Sequence, residues 1–149
     1  MAKAESREGL ASLLDWRAVG LGFLAAAGAA IALGAVGARI GLEGNLGAAA
    51  SLEFGALLLG GYVAGRRAGR IGVIQGVAVA VVFIVISASI KAWVEIDLAT
   101  RYGPQVLGPM DMGGLILGDL VHLIGGCIGG WLADTRRGRV DIGAEPPRG

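Results

Sequence analysis

The chain is poor in almost everything that catalysis or covalent cross-linking would use. It has a single cysteine and a single histidine. Cys127 alone forms no intrachain disulfide and completes no cysteine-rich metal site, and within its apolar run it reads as a small packing residue. His122 alone leaves no spaced set of ligands for zinc or another metal. With no paired nucleophile and base either, the sequence calls for no enzyme activity, no cofactor and no metal. Charged residues are only 17% of the chain and the net charge is +1, so no basic face is set aside for nucleic acid. The four prolines all fall late, Pro104 and Pro109 in one loop and Pro146 and Pro147 in the C-terminal tail.

What the chain has in quantity is apolar surface and glycine. Hydrophobic residues make up 54% of it, with a mean hydropathy of +0.68, too apolar for an ordinary soluble domain. Its 28 glycines follow no G-X-Y period, so collagen is excluded. Glycine at this density suits membrane helices that pack closely.

Four runs are long enough to cross a bilayer core, which takes about 20 helical residues. They cover roughly 18–38, 46–65, 71–90 and 112–133 and form a single domain over 1–135. Ahead of them, residues 1–17 carry Leu10, Leu13 and Leu14 at helical spacing before Trp16, the pattern of a short amphipathic helix lying on the membrane. Residues 136–149, with paired prolines and mixed charge, read as a disordered tail. The first span contains Gly20, Gly22 and Ala25 in the loose dinucleotide pattern G-x-G-x-x-A. No strand precedes it and it lies within an apolar span, so the match is discounted. The third span, rich in Val and Ile, reads as the helix most exposed to lipid.

Orientation follows from the cations. Lys3, Arg7, Arg17, Arg66, Arg67, Arg70, Arg136, Arg137, Arg139 and Arg148 fall on one side, and Arg39, Lys91 and Arg101 on the other. The positive-inside rule places both termini in the cytoplasm. Arg66, Arg67 and Arg70 and then Arg136, Arg137 and Arg139 thus set topology and meet lipid headgroups. Trp16, Tyr62 and Trp131 at one interface and Trp93 and Tyr102 at the other form an aromatic belt.

The second and fourth spans share a pattern. Glu53 is followed by Gly60 and Ala64, and Asp119 at the same intervals by Gly126 and Gly130. Residues seven and eleven apart return to nearly one helix face, so each acid shares a stripe with small residues that suits another helix better than lipid. Gly61/Gly65, Gly125/Gly129 and Gly126/Gly130 are small-xxx-small pairs that invite close packing and self-association. The repeat suggests two parallel helical hairpins about a pseudo-two-fold axis, although the first and third spans show no matching similarity.

Each acid lies about 10 Å into its span at helical rise. An ionised carboxylate costs about 2.5–3.5 kcal/mol at the centre of a membrane helix. Glu53 and Asp119, with His122 one turn after Asp119, are therefore the candidate site. Two uses stay open. In the first, the polar groups hydrogen-bond across helices and the glycines set packing, in a structural or partner-scaffolding protein. In the second, Glu53, Asp119 and His122 line a proton or cation pathway.

The stretches at Asp15 to Val19 (D-W-R-A-V) and Gly60 to Arg66 (G-G-x-x-A-G-R) resemble those of a group of small, uncharacterised bacterial four-helix membrane proteins. The likeness covers the first three spans. It implies an all-α, four-span bundle and transfers no activity, and the Asp119/His122 pair has no counterpart in it. The resulting expectation is a four-helix protein of a bacterial plasma membrane, both termini cytoplasmic, whose partners are the bilayer and a second copy or another membrane protein, with no nucleic acid.

Overall fold

Short polar side chains start the first two helices. Asp15 Oδ1 accepts the backbone N–H groups of Arg17 and Ala18 at 3.0 and 3.2 Å, capping α1 (Trp16–Arg39). Asn45 Oδ1 accepts from Ala48 N–H at 3.1 Å and caps α2 (Leu46–Ala68). Gly69, at φ 67°, adopts the left-handed conformation that ends α2 and lets the chain reverse at once into α3 (Gly72–Tyr102). A short 3₁₀ turn (Pro104–Val106) leads toward α4 (Met112–Asp141). The computed structural model of the protein describes residues 14–42, 45–69, 71–108 and 112–141, and no strand occurs among them. The amphipathic segment expected at 1–17 lies almost wholly outside the described residues, as does 142–149.

All four helices are long and apolar enough to cross a membrane, so the chain is an all-α, multi-pass membrane bundle. Two of them overrun the spans expected for them. α3 continues to Tyr102 and, at 31 residues, is about 46 Å long against a core of about 30 Å. Thr100 Oγ1 donates to Ile96 O at 2.7 Å, and Arg101 pairs with Asp97 at 3.0 Å, so polar residues beyond the expected end near residue 90 are satisfied on the helix itself. α4 likewise continues past Arg136 to Asp141.

The helices run alternately up and down. Gly22 and Ala26 of α1 meet Gly60 of α2: a β-carbon at Gly22 would lie 2.6 Å from Gly60 O, and one at Gly60 would lie 2.6 Å from Gly22 O and Ala26 Cβ. Gly76 and Ala80 of α3 meet Gly126 of α4 in the same manner, and Gly72 of α3 meets Gly130. The first and third spans therefore do correspond. Gly22-xxx-Ala26 and Gly76-xxx-Ala80 play one role in the two hairpins, a likeness too short to stand out within apolar sequence.

Between the hairpins, α2 lies parallel to α4, with Gly61 against Gly126, Gly65 against Gly130 and Ala133, and Phe54 and Leu58 against Gly125 and Gly129. α3 packs on α1 as well as on α2 and α4, whereas α1 and α4 do not approach each other. The equivalence thus lies in the two seams and not in a closed two-fold arrangement.

Burial is concentrated toward the arginine-rich end, where Arg17, Arg66, Arg67 and Arg136 lie. Apart from Gly37, every buried residue among those described falls in that half or at the middle of the bundle. The core there is Val19, Ala26, Leu57, Ala64, Val79 and Ala80, with Gln75 also fully buried. From Val81 to Tyr102, α3 has no buried residue, and neither has α4 from Met112 to Ile124. The expectation that the third span would be the most lipid-exposed is overturned: 28% of its apolar window is buried, against 17% for α1. Its valine-rich run is preceded by the small residues Gly72, Gly76 and Ala80, one turn apart, and these place the first half of α3 at the centre.

Gly126 and Gly118, both on α4, separate packing from helix propensity. Gly118 faces open space, whereas a β-carbon at Gly126 collides with the backbone of Gly76. Gly118→Ala should be neutral or stabilising, since alanine gains about 0.8–1.0 kcal/mol over glycine in a helix. Gly126→Ala should instead destabilise by about 1–3 kcal/mol through overpacking. Unfolding in mixed micelles measures both, and equal behaviour of the two variants would refute the close seam.

Candidate functional site

The register set by the α2–α4 glycines decides which polar groups meet. With Phe54 over Gly125 and Gly61 over Gly126, Glu53 comes beside His122. His122 Nε2 and Glu53 Oε2 are 2.9 Å apart, a hydrogen bond between parallel helices inside the membrane-spanning region. The two side chains are covered unequally, His122 to 14% exposure and Glu53 to only 51%.

Aromatic rings hold the imidazole in place. Phe83 of α3 presents its ring to His122 edge-on, with centroids 5.7 Å apart and planes at 67°. Phe23 of α1 packs against Phe83 in turn, 6.4 Å between centroids. Side chains from all four helices therefore make one line, Phe23, Phe83, His122 and Glu53. The other imidazole nitrogen, Nδ1, is buried with no hydrogen-bond partner among the described residues. That selects the tautomer: with the proton on Nε2 shared toward Glu53, Nδ1 is a bare acceptor, whereas a protonated Nδ1 would be a buried donor with nothing to receive it.

Of the three residues singled out from the sequence, two are brought together. Asp119 lies one turn before His122 on α4 and is half-buried, but it makes no hydrogen bond or ion pair among the described residues. The sequence spacing made Asp119 the natural neighbour of His122, but the interhelical partner Glu53 takes the ring nitrogen instead. Each small residue named for packing is buried: Gly60 and Ala64 on the α1 seam, Gly61, Gly65, Gly125, Gly126, Gly129 and Gly130 between α2, α3 and α4. Arg70, Arg137 and Arg139 fall outside what is described of side chains.

Two further polar contacts had no clear signal in the sequence. Asp134 of α4 accepts the N–H of Gly72 with both carboxylate oxygens, at 3.0 and 2.8 Å. Ile71, at the start of α3, offers no capping side chain, so Asp134 supplies the cap from a residue 62 positions away. A carboxylate there also faces the positive end of the helix dipole. Gly72 must lack a β-carbon, which would meet Gly130 O at 2.5 Å and Asp134 Oδ1 at 2.8 Å. At the same end, Tyr62 of α2 accepts from both Arg66 and Arg136, which moves it from belt residue to junction.

Among the described residues there is no group of His, Cys, Asp and Glu that could hold a metal ion. No family model, curated protein or solved structure matches the chain. The reading of the site therefore rests on its own geometry.

Two measurements follow. A double-mutant cycle of Glu53→Gln and His122→Ala should give a coupling near the usual intramembrane value of about 0.6 kcal/mol, with about 1.7 kcal/mol as the upper end. The same cycle with Asp119→Asn should give none. Asp134→Ala removes a helix cap and should destabilise the bundle by about 0.5–2 kcal/mol, whereas Asp134→Asn, which keeps an acceptor oxygen, should lose less.

Proposed function

We propose that the chain is a non-enzymatic protein of a bacterial plasma membrane with both termini in the cytoplasm, and that its work is structural or partner-scaffolding. The observation that carries this reading is the closed half of the bundle. Backbones of α2, α3 and α4 touch at glycines, and below the Glu53–His122 bond the interior is filled by Leu57, Val79, Ala80 and Ala64. The bond then acts as a pin between α2 and α4 at the edge of that packed half. Orientation rests on the ten cations at one end against three at the other.

The glycine faces that invited self-association are used inside the chain, which moves any homo-oligomer or membrane partner to other surfaces. The far halves of α3 and α4, apolar and without a buried face, are the surface such a partner would share with lipid.

One observation favours a second reading. A carboxylate half-uncovered on one side of an imidazole whose far nitrogen is buried is an arrangement that can take up and release a proton. In that reading Glu53, His122 and Asp119 serve a proton or cation path.

Liposomes carrying the purified protein separate the two. The structural reading expects no proton or cation flux above empty vesicles for wild type, Glu53→Gln or Asp119→Asn. Wild-type flux abolished by Glu53→Gln would replace it with the second reading.

A further inference from the structure

The stripes of small residues that pack α2, α3 and α4 end outward in polar side chains. Glu53 lies seven positions from Gly60 and eleven from Ala64, Asp119 as far from Gly126 and Gly130, and Ser87 as far from Ala80 and Gly76. Each therefore shares a helix face with its two small residues. All six small residues are buried, and none of the three polar ones is. Glu53 stays 51% exposed although Leu57, one turn inward, is fully buried. Gly118 meets only open space among the described residues, although Gly125, seven residues inward on the same face, packs on Phe54.

We propose that Glu53, Asp119 and Ser87 line an opening, at the end away from the arginine clusters, that binds a small organic ammonium ion. Gly126 of α4 meets Gly76 and Ala80 of α3, and seven residues outward along each helix that contact becomes Asp119 opposite Ser87. The pair lies about one turn above the Phe83–His122 ring contact. No hydrogen bond joins the two among the described residues. Nor does the Ser87 hydroxyl donate to its own helix, as those of Ser51, Ser89, Thr100 and Thr135 do. An acid and a hydroxyl left unbridged on facing helices leave room for a third group between them.

The charges there call for a cation. Two carboxylates face one ammonium, that of Lys91, which is exposed one turn beyond Ser87 and forms no ion pair among the described residues. Arg101 is paired with Asp97, and Arg39, two residues after the buried Gly37, points to the opposite side of α1. The segments 43–44 and 109–111, which join helices at this end, contain no lysine or arginine. Among the described residues no group of His, Cys, Asp and Glu could hold a metal ion. A primary ammonium needs three acceptors for its three N–H groups, and Glu53, Asp119 and Ser87 provide them. Phe83 and Phe23 offer rings beside an apolar body. Backbone contacts of Gly126 with Gly61 and Gly76 close the bundle beneath. The site is thus a dead end that requires no path through the membrane, and it stands apart from the structural reading and its flux test.

The test uses the full chain in detergent micelles, with butylammonium as the probe and 1-pentanol and sodium ion as comparisons. Binding is read from the NMR shifts of the His122 ring and the Gly118 amide. The expected result is a saturable shift with butylammonium alone, weakened about tenfold by Glu53→Gln or Asp119→Asn and severalfold by Ser87→Ala. Lys91→Gln, which removes the resident cation, should tighten binding severalfold, and Glu95→Gln, an exposed acid at the same end, should leave it unchanged. Shifts unaffected by Asp119→Asn, or equally weakened by Glu95→Gln, would overturn the site in favour of diffuse attraction. Sodium binding as tightly as butylammonium would overturn the organic assignment. Asp119 makes no bond in the fold, so its variant guards against unfolding being read as lost binding. In a Cys127→Ala background, a charged thiol reagent should modify Gly118→Cys faster than Ile116→Cys, which is exposed on the far side of α4 and nearer the helix end. The reverse order would remove the opening.

Discussion

Everything in this bundle depends on the backbone contact of α4 at Gly126 and Gly130. Lipid tails are as apolar as a leucine side chain, so helices in a bilayer gain little from hiding apolar surface from one another. They gain from close dispersion contacts, which fall off steeply with distance and are greatest where no β-carbon intervenes. Gly126 faces Gly61 on one side and Gly76 on the other, and Gly130 faces Gly65 and Gly72. One helix thereby fixes the register of two neighbours at once. The α1 seam, Gly22 and Ala26 on Gly60, repeats the device and adds the fourth helix.

That register places the polar chemistry. Because α2 and α4 run parallel with Gly61 level with Gly126, Glu53 meets His122 above the seam and Tyr62 meets Arg136 below it. Because α3 is antiparallel to α4, its first turn arrives at Asp134. None of these contacts joins neighbours in sequence. The two halves of the molecule differ accordingly: one is closed by backbone contact, and in the other α3 and α4 have no buried residue and give their apolar faces to the surroundings.

Much of this was legible beforehand, and the failures are instructive. Four spans, their approximate places and the glycine faces follow from hydropathy and spacing, since both depend on local residue type. The overrun of α3 to Tyr102 was missed because charged residues after Lys91 resemble a helix exit, although Asp97 and Arg101 are one turn apart and pair on the helix itself. The central position of α3 was missed because Gly72, Gly76 and Ala80 are few beside a long valine-rich run. The partner of His122 was missed because sequence spacing shows neighbours on one helix, and the ring nitrogen turned to another.

Sequence by itself determined that this chain is helical, crosses a membrane four times and packs through small residues on α2 and α4. Those properties are sums over local composition, and no contact need be known to find them. Tertiary structure alone decided which glycine meets which, that α1 stays clear of α4, and that Glu53 rather than Asp119 bonds to His122. Each of those depends on the axial offset between two helices, which is fixed by where backbones can touch. A shift of one helical turn would leave the composition unchanged and undo all three.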